Sequence, residues 1–164
     1  LLIDGDFRRL TLSAFLNLKR RGFADYLAEP DGPITDYIVK DVKFANLDVL
    51  PVGTLPPNPS ELLNKDDVVK VMNQLRSQYD YIFIDCPPID IVADTQIIAP
   101  LADRTIFVVR AGLFDKSQLN DLVKLEANGN YKNLSLVLNG TEVYGGSSYG
   151  AHNYTKSSKY YSKS

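Results

Sequence analysis

Short apolar runs alternate along the chain with stretches in which apolar residues recur every three or four positions. Leu1-Leu2-Ile3, Leu47 to Val52, Tyr81 to Ile84, Thr105 to Val109 and Leu134 to Leu138 predict five strands. Tyr81-Ile82-Phe83-Ile84 is continuously apolar, which predicts a strand covered on both faces. Between the runs, Val68, Met72, Leu75 and Tyr79 make one apolar stripe at helical spacing. Asn58-Pro59-Ser60-Glu61 predicts a helix start, with Asn58 as N-cap, Pro59 at N1 and Glu61 at N3. Gln96 to Leu101 predicts a shorter helix, and Leu119, Leu122, Val123 and Glu126 another that ends near Gly129. Strands alternating with helices predict an α/β fold, a mostly parallel sheet flanked by helices.

The pattern stops at Thr141. The segment 141–164 holds no Leu, Ile or Phe and is rich in Gly, Ser, Tyr and Lys. It cannot bury enough apolar area to offset chain entropy, which predicts a flexible tail on a folded body of residues 1–140. Five of the ten tyrosines lie there: Tyr144, Tyr149, Tyr154, Tyr160 and Tyr161. Spaced by Gly, Ser and Lys, they read as accessible phosphate acceptors, with lysines to offset part of the added charge.

Length and composition change the picture only by exclusion. The chain has 164 residues, 45% of them apolar, and no apolar run approaches the roughly 20 residues that span a bilayer. A net charge of −2 argues against a dedicated nucleic-acid binder. Cys86 is the only cysteine, so no internal disulfide forms, and it reads as a small loop residue. His152, the only histidine, lies in the tail, away from any catalytic triad. Lys19-Arg20-Arg21 reads as a solvated basic surface, and Tyr79 and Tyr81 as structural phenols. The opening Leu1-Leu2-Ile3-Asp4 reads as the middle of a strand, with no initiator Met.

Candidate chemistry sits at the strand ends. Asp4 and Asp6 follow the first strand two residues apart, which places both on one face if the strand persists. Gly5 between them permits close approach of backbone or ligand. Asp85 ends the third strand ahead of Pro87-Pro88. In open parallel sheets the ligand crevice lies beyond the carboxyl ends of the strands. Three carboxylates aimed there suit Mg²⁺, which takes one or two of them together with phosphates and water.

These segments together resemble the bacterial tyrosine kinases of capsular and exopolysaccharide export. LLIDGDFRRLTLSAF at 1–15 resembles that family's Walker A′ region, YDYIFIDCPP at 79–88 its Walker B, and GTLPPNPSELL at 53–63 its intervening Pro-Asn-Pro signature. The tyrosine cluster resembles its autophosphorylated tail. The resemblance implies a P-loop NTPase-like fold related to the partition ATPases. It implies ATP and Mg²⁺ as cofactors, and transfer of the γ-phosphoryl group to tail tyrosines of the same or a neighbouring copy. Asp4 and Asp6 match the two Walker A′ aspartates, which serve the metal and the acceptor tyrosine, and Asp85 matches the metal-holding Walker B aspartate. Asn139 and Arg110 fall where nucleotide contacts are expected. Arg8 and Arg9 match the basic pair that follows the Walker A′ aspartates, and Arg8 is carried as a phosphate contact. Leu10 stands where the family has Pro, which leaves that turn looser.

No G-x-x-x-x-G-K-[ST] phosphate loop occurs, and the resemblance places that loop upstream of Leu1. The partners it implies are further copies in a ring, a membrane chain-length regulator that in some members is fused upstream, and a cognate tyrosine phosphatase. Nucleic acid is not among them. The implied location is the cytoplasmic face of the bacterial inner membrane. A partition- or septum-placement-type ATPase without kinase activity, or an inactive phosphoacceptor scaffold, are the alternatives.

Overall fold

The computed structural model describes residues 1–64, 66–88 and 94–141. Five strands form there: β1 (Leu2–Asp4), β2 (Val49–Leu50), β3 (Phe83–Asp85), β4 (Ile106–Arg110) and β5 (Ser135–Asn139). Four are shifted one or two residues toward the C-terminus of the predicted run, and β2 is shortened to the middle of its run. The pairs are parallel, but the described strands form two sheets rather than one, in the orders β2-β1-β3 and β4-β5. In the first sheet Ile3 lies opposite both Leu50 and Ile84, and Asp4 lies opposite Asp85. In the second, Arg110 lies opposite Asn139. Among the described residues β3 and β4 each keep one edge without a strand partner.

Among the described residues six α-helices connect them: α1 (Thr11–Phe15), α2 (Phe23–Ala28), α3 (Pro59–Leu63), α4 (Asp66–Arg76), α5 (Asp94–Ile98) and α6 (Leu119–Ala127). The two short helices α1 and α2 carry no long apolar stripe and were not legible as periodicity. Pro59 opens α3 as expected, but Asn58 does not cap it; its amide donates instead to the Glu61 carboxylate at 2.5 Å. The predicted stripe buries Val68, Met72 and Leu75. Tyr79 lies beyond the end of α4, where its hydroxyl donates to Asp48 Oδ2 at 2.8 Å and accepts from Lys40 at 2.9 Å. That cluster ties the amino-terminal edge of the sheet, opposite the candidate crevice. Tyr81 is exposed, so packing gives it no structural role. The basic run is tethered rather than merely solvated: Arg21 pairs with Asp31 at 3.0 Å and lies over the Tyr37 ring, and Arg20 donates to the Asp36 carbonyl.

One core serves the first sheet. Ile3, Leu50 and Val52 pack with Phe7, Leu27, Leu63 and Leu75, all essentially without solvent contact. Each such side chain contributes roughly 1.5–3 kcal/mol on burial. Phe7 and Phe23 meet edge to face, with ring centroids 5.6 Å apart. This packing holds the loop after β1 against α2. The expectation that the third strand is covered on both faces fails. Phe83 is 59% exposed, as are comparable fractions of Ile106, Val108, Leu136 and Leu138, because no described element packs over them. No helix among the described residues is long and apolar enough to cross a membrane.

The loop bearing the 53–63 signature is anchored by a close crossing. Gly53 has φ +86°, and a Cβ there would lie 1.9 Å from Asp25 Oδ2. The same oxygen accepts the Gly22 and Thr54 N–H groups at 2.8 and 3.1 Å, which satisfies the first turn of α2. Gly53→Ala combines backbone strain with a clash and is expected to destabilise the fold by about 2 kcal/mol or more, read as a lower thermal midpoint.

Candidate functional site

The carboxyl ends of β1 and β3 lie side by side and carry Asp4 and Asp85 in register. Gly5 continues the pairing, its N–H donating to the Asp85 carbonyl at 2.8 Å. A Cβ on Gly5 would sit 2.8 Å from that oxygen and 2.9 Å from Ile84 Cγ2. The glycine therefore serves the approach of β3's backbone. β1 ends at Asp4, so Asp6 does not share its face by strand alternation as expected. It lies instead in the turn that follows, where its Oδ1 accepts the Arg8 N–H at 3.1 Å and its carbonyl accepts the Arg9 N–H at 3.2 Å. These bonds close the turn despite Leu10.

The three carboxylates have different surroundings. Asp4 is fully buried; its Oδ2 accepts both the hydroxyl of Ser13, at 2.7 Å, and the Ser13 N–H, at 3.1 Å. Leu10 offers α1 no side-chain cap, and Asp4 fills that place from a distance. Asp4 Oδ1 is buried with no hydrogen-bond partner among the described residues. Burial raises the Asp4 carboxyl above its ordinary range against the pull of Ser13, and Asp85 adds to the rise. Asp6 keeps a narrow exposed edge, and Asp85 is open on one side. Burial of its inner side, then the charge of Asp6, raises Asp85.

Among the described residues no three His, Cys, Asp or Glu side chains gather closely enough to hold a metal ion. The expected three-carboxylate metal set is thus not assembled, because Asp4 is turned to Ser13 and Asp6 leaves the strand. The donor chemistry still fits a hard cation held partly by phosphate and water: oxygen ligands, an orphaned buried oxygen on Asp4 and an accessible Asp85. Cys86 behaves as a small loop residue, its thiol pushed up to about 12 by burial and then by Asp85, Asp6 and Asp94.

The Arg8 guanidinium, carried as a phosphate contact, is engaged by other side chains. Its Nε and Nη2 donate to the two carboxylate oxygens of Asp94 at 2.7 and 3.2 Å, and Nη2 also reaches Ser60 Oγ at 3.3 Å. Asp94 is fully buried, and Ser60 Oγ donates to its Oδ1 at 2.5 Å. Burial alone would raise Asp94, but Arg8 and Ser60 hold it below the usual carboxylate range. Asp94 gives no signal of its own in the sequence, because an aspartate at the start of a short helix looks like a first-turn charge. Ser13 carried no signal beyond its place in the quoted Walker A′ segment. Arg110 and Asn139 come together as register partners at the carboxyl ends of β4 and β5, with Ala111 N–H bonded to the Asn139 carbonyl at 2.8 Å. Arg9 is exposed at the same turn as Arg8. Tyr144, Tyr149, Tyr154, Tyr160 and Tyr161 lie outside the described residues.

No family profile matches the chain. Individual relatives do. The chain is 34% identical over 149 residues to CapB of Staphylococcus aureus, covering 91% of this chain and 65% of that protein. It is 32% identical over 154 residues to the tyrosine-protein kinase CpsD of Streptococcus pneumoniae, covering 88% of this chain and 67% of that protein. The chain belongs to the bacterial tyrosine-protein kinase family. Among solved structures, the kinase domain of the Escherichia coli tyrosine kinase ETK matches with TM-score 0.77 and 26% identity, over 91% of this chain and 58% of that one. The chimerical protein CapA2B2 matches with TM-score 0.73 and 29% identity, over 84% and 60%. The septum site-determining protein MinD of Pyrococcus horikoshii, solved with Mg-ADP, matches with TM-score 0.65 at 22% identity, a likeness of fold. This kinase-family chain spans about two thirds or less of the relatives it matches, 65% of CapB and 21% of the EpsB protein of Ralstonia nicotianae.

Proposed function

We propose that this chain forms the greater part of a tyrosine kinase domain, residues 1–140, that uses ATP and Mg²⁺ to phosphorylate the tyrosines of its 141–164 tail in a neighbouring copy. The observation that carries this reading is the register of Asp4 with Asp85 at the carboxyl ends of two adjacent parallel strands, with Asp6 in the turn between β1 and α1. Bound Mg²⁺ would neutralise charge on the transferring phosphoryl group. Asp85, open on one side, is placed to hold that cation directly or through water. The Asp4–Asp6 pair takes the phenol proton as the tyrosine oxygen bonds to the γ-phosphorus and the bond to ADP breaks. Asn139 would contact the adenine, and its register partner Arg110 another part of the nucleotide. Among the described residues β3, β4 and β5 each present an edge without a strand partner, to which a further parallel strand carrying the phosphate loop would pair.

The membrane chain-length regulator, the ring of copies, the cognate phosphatase, the role in capsule or exopolysaccharide synthesis and the site at the cytoplasmic face of the inner membrane come to this chain from the family. Phosphorylation would add about −1.5 to −2 charge per tyrosine and loosen a ring held by its tails. The test is mass spectrometry of the gene's full-length product after incubation with ATP and Mg²⁺. Phosphotyrosine between Tyr144 and Tyr161 is expected, and changing all five to Phe should abolish self-labelling while an added tyrosine peptide is still phosphorylated. Hydrolysis of ATP with no phosphotyrosine would instead identify a partition-type ATPase.

A further inference from the structure

Asp94 is the most deeply buried charge that the proposed chemistry leaves without a role. It joins segments that are distant in sequence. From the first position of α5 its carboxylate takes both the fork of Arg8, in the turn after β1, and the hydroxyl of Ser60, in α3. The next residue, Thr95, donates its hydroxyl to the Pro87 carbonyl at 3.0 Å, which ties the loop after β3 to the same helix. The backbone N–H of Arg8 in turn holds Asp6 Oδ1 at 3.1 Å. One side of Arg8 is thus fixed by a bidentate charged contact, which is geometrically demanding, and the other side orients an aspartate of the crevice. A lysine could not make the same fork.

We propose that Asp94 is a positioning residue for phosphoryl transfer: with Ser60 it clamps the Arg8 guanidinium and so sets the turn that aims Asp6 at the crevice between β1 and β3. The proposal rests on the kinase reading for its effect on rate. The clamp itself is local geometry and can be tested separately.

Two measurements on the full-length gene product decide it. In the first, Asp94→Asn and Arg8→Lys are each expected to lower kcat for tyrosine phosphorylation by about 10–100-fold, with KM for ATP changed less than about threefold. Asp94→Asn combined with Arg8→Lys should lose no more than the worse single variant, since both break one clamp. Ser60→Ala, the mild variant in case the others fold poorly, should lower kcat about threefold with its thermal midpoint nearly unchanged. In the second, hydrogen exchange of the amides of residues 5–10 should rise at least about tenfold in Asp94→Asn, while those of α4 stay as in the parent. Multiplying rather than shared losses in the double variant, or unchanged exchange at 5–10 in Asp94→Asn, would overturn the clamp. A parent that forms no phosphotyrosine removes the kinase reading alone, and the exchange measurement still decides the clamp.

Discussion

Asp85→Asn is expected to lower Mg²⁺-dependent phosphotyrosine formation by the full-length product at least about 100-fold without lowering its thermal stability. The first part follows from charge. Phosphoryl transfer depends almost wholly on positioning and electrostatic stabilisation, and loss of one such group typically costs 10²–10³ in rate. Asp85 is the most open carboxylate of the three, in register with Asp4 across paired strands. The second part follows from the direction of its shift. Burial, then the charge of Asp6, raises the Asp85 carboxyl, so its ionised form costs folding energy at neutral pH. Removing that charge relieves the cost. A variant that transfers within threefold of the parent would remove Asp85 from the mechanism; a variant that is both inactive and unfolded would assign it to the fold instead.

Asp4→Asn should separate the same two quantities differently. Asp4 is fully buried, with Oδ2 held by Ser13 and Oδ1 unpartnered among the described residues. Its folded value is raised, chiefly by burial. In the window from the unfolded value near 3.9 up through the raised folded value, the native state holds the extra proton, so stability falls as pH rises. The side-chain oxygen of asparagine keeps the Ser13 contacts, and its amide faces the charge of Asp85 instead of repelling it. A thermal midpoint at pH 8 higher by on the order of a few degrees is expected, with the decline above pH 4 flattened. Transfer should fall well over tenfold if the proposed Asp4–Asp6 pair takes the phenol proton. Asp94 and Asp48 run the other way. Their folded values are lowered, so their stabilisation is complete above the unfolded value and lost as pH falls through the folded ones. The acid limb of the stability curve should therefore be the same in Asp4→Asn and the parent. A shallower acid limb in Asp4→Asn would show that Asp4 is held ionised rather than strained, because the stabilisation it loses on protonation would then be missing from the variant.

Local pattern was enough to place the strands and the longer helices. Mostly apolar runs of three to six residues and the Val68-Met72-Leu75 stripe settle into strands and a helix in a layered α/β chain, and the structure returns all of them within a residue or two. The short helices α1 and α2 escaped because a five- or six-residue helix shows less than two turns of periodicity and, unlike α3 with its Asn-Pro start, neither carries a start signal. Their positions come from outside contacts: Asp4 capping α1, and Gly22 and Gly53 crossing under α2.

The carboxylates show the same division. An apolar strand followed by Asp determines that Asp4 and Asp85 leave the sheet at one edge, and the Walker-like segments and Pro-Asn-Pro signature determine the family. How those groups differ is a tertiary matter. Strand pairing stops at Asp4, which sends Asp6 into a turn. Ser13 captures one oxygen of Asp4. Arg8 carried no mark of its partner, 86 residues away in Asp94, because a charged fork finds its carboxylate only when α5 packs beside α3. Sequence alone thus determined which residues stand at the strand ends and to which family the chain belongs. Only the tertiary structure decided which of them are buried, which are held by other side chains and which stay open, since desolvation and long-range hydrogen bonds exist only once distant segments meet.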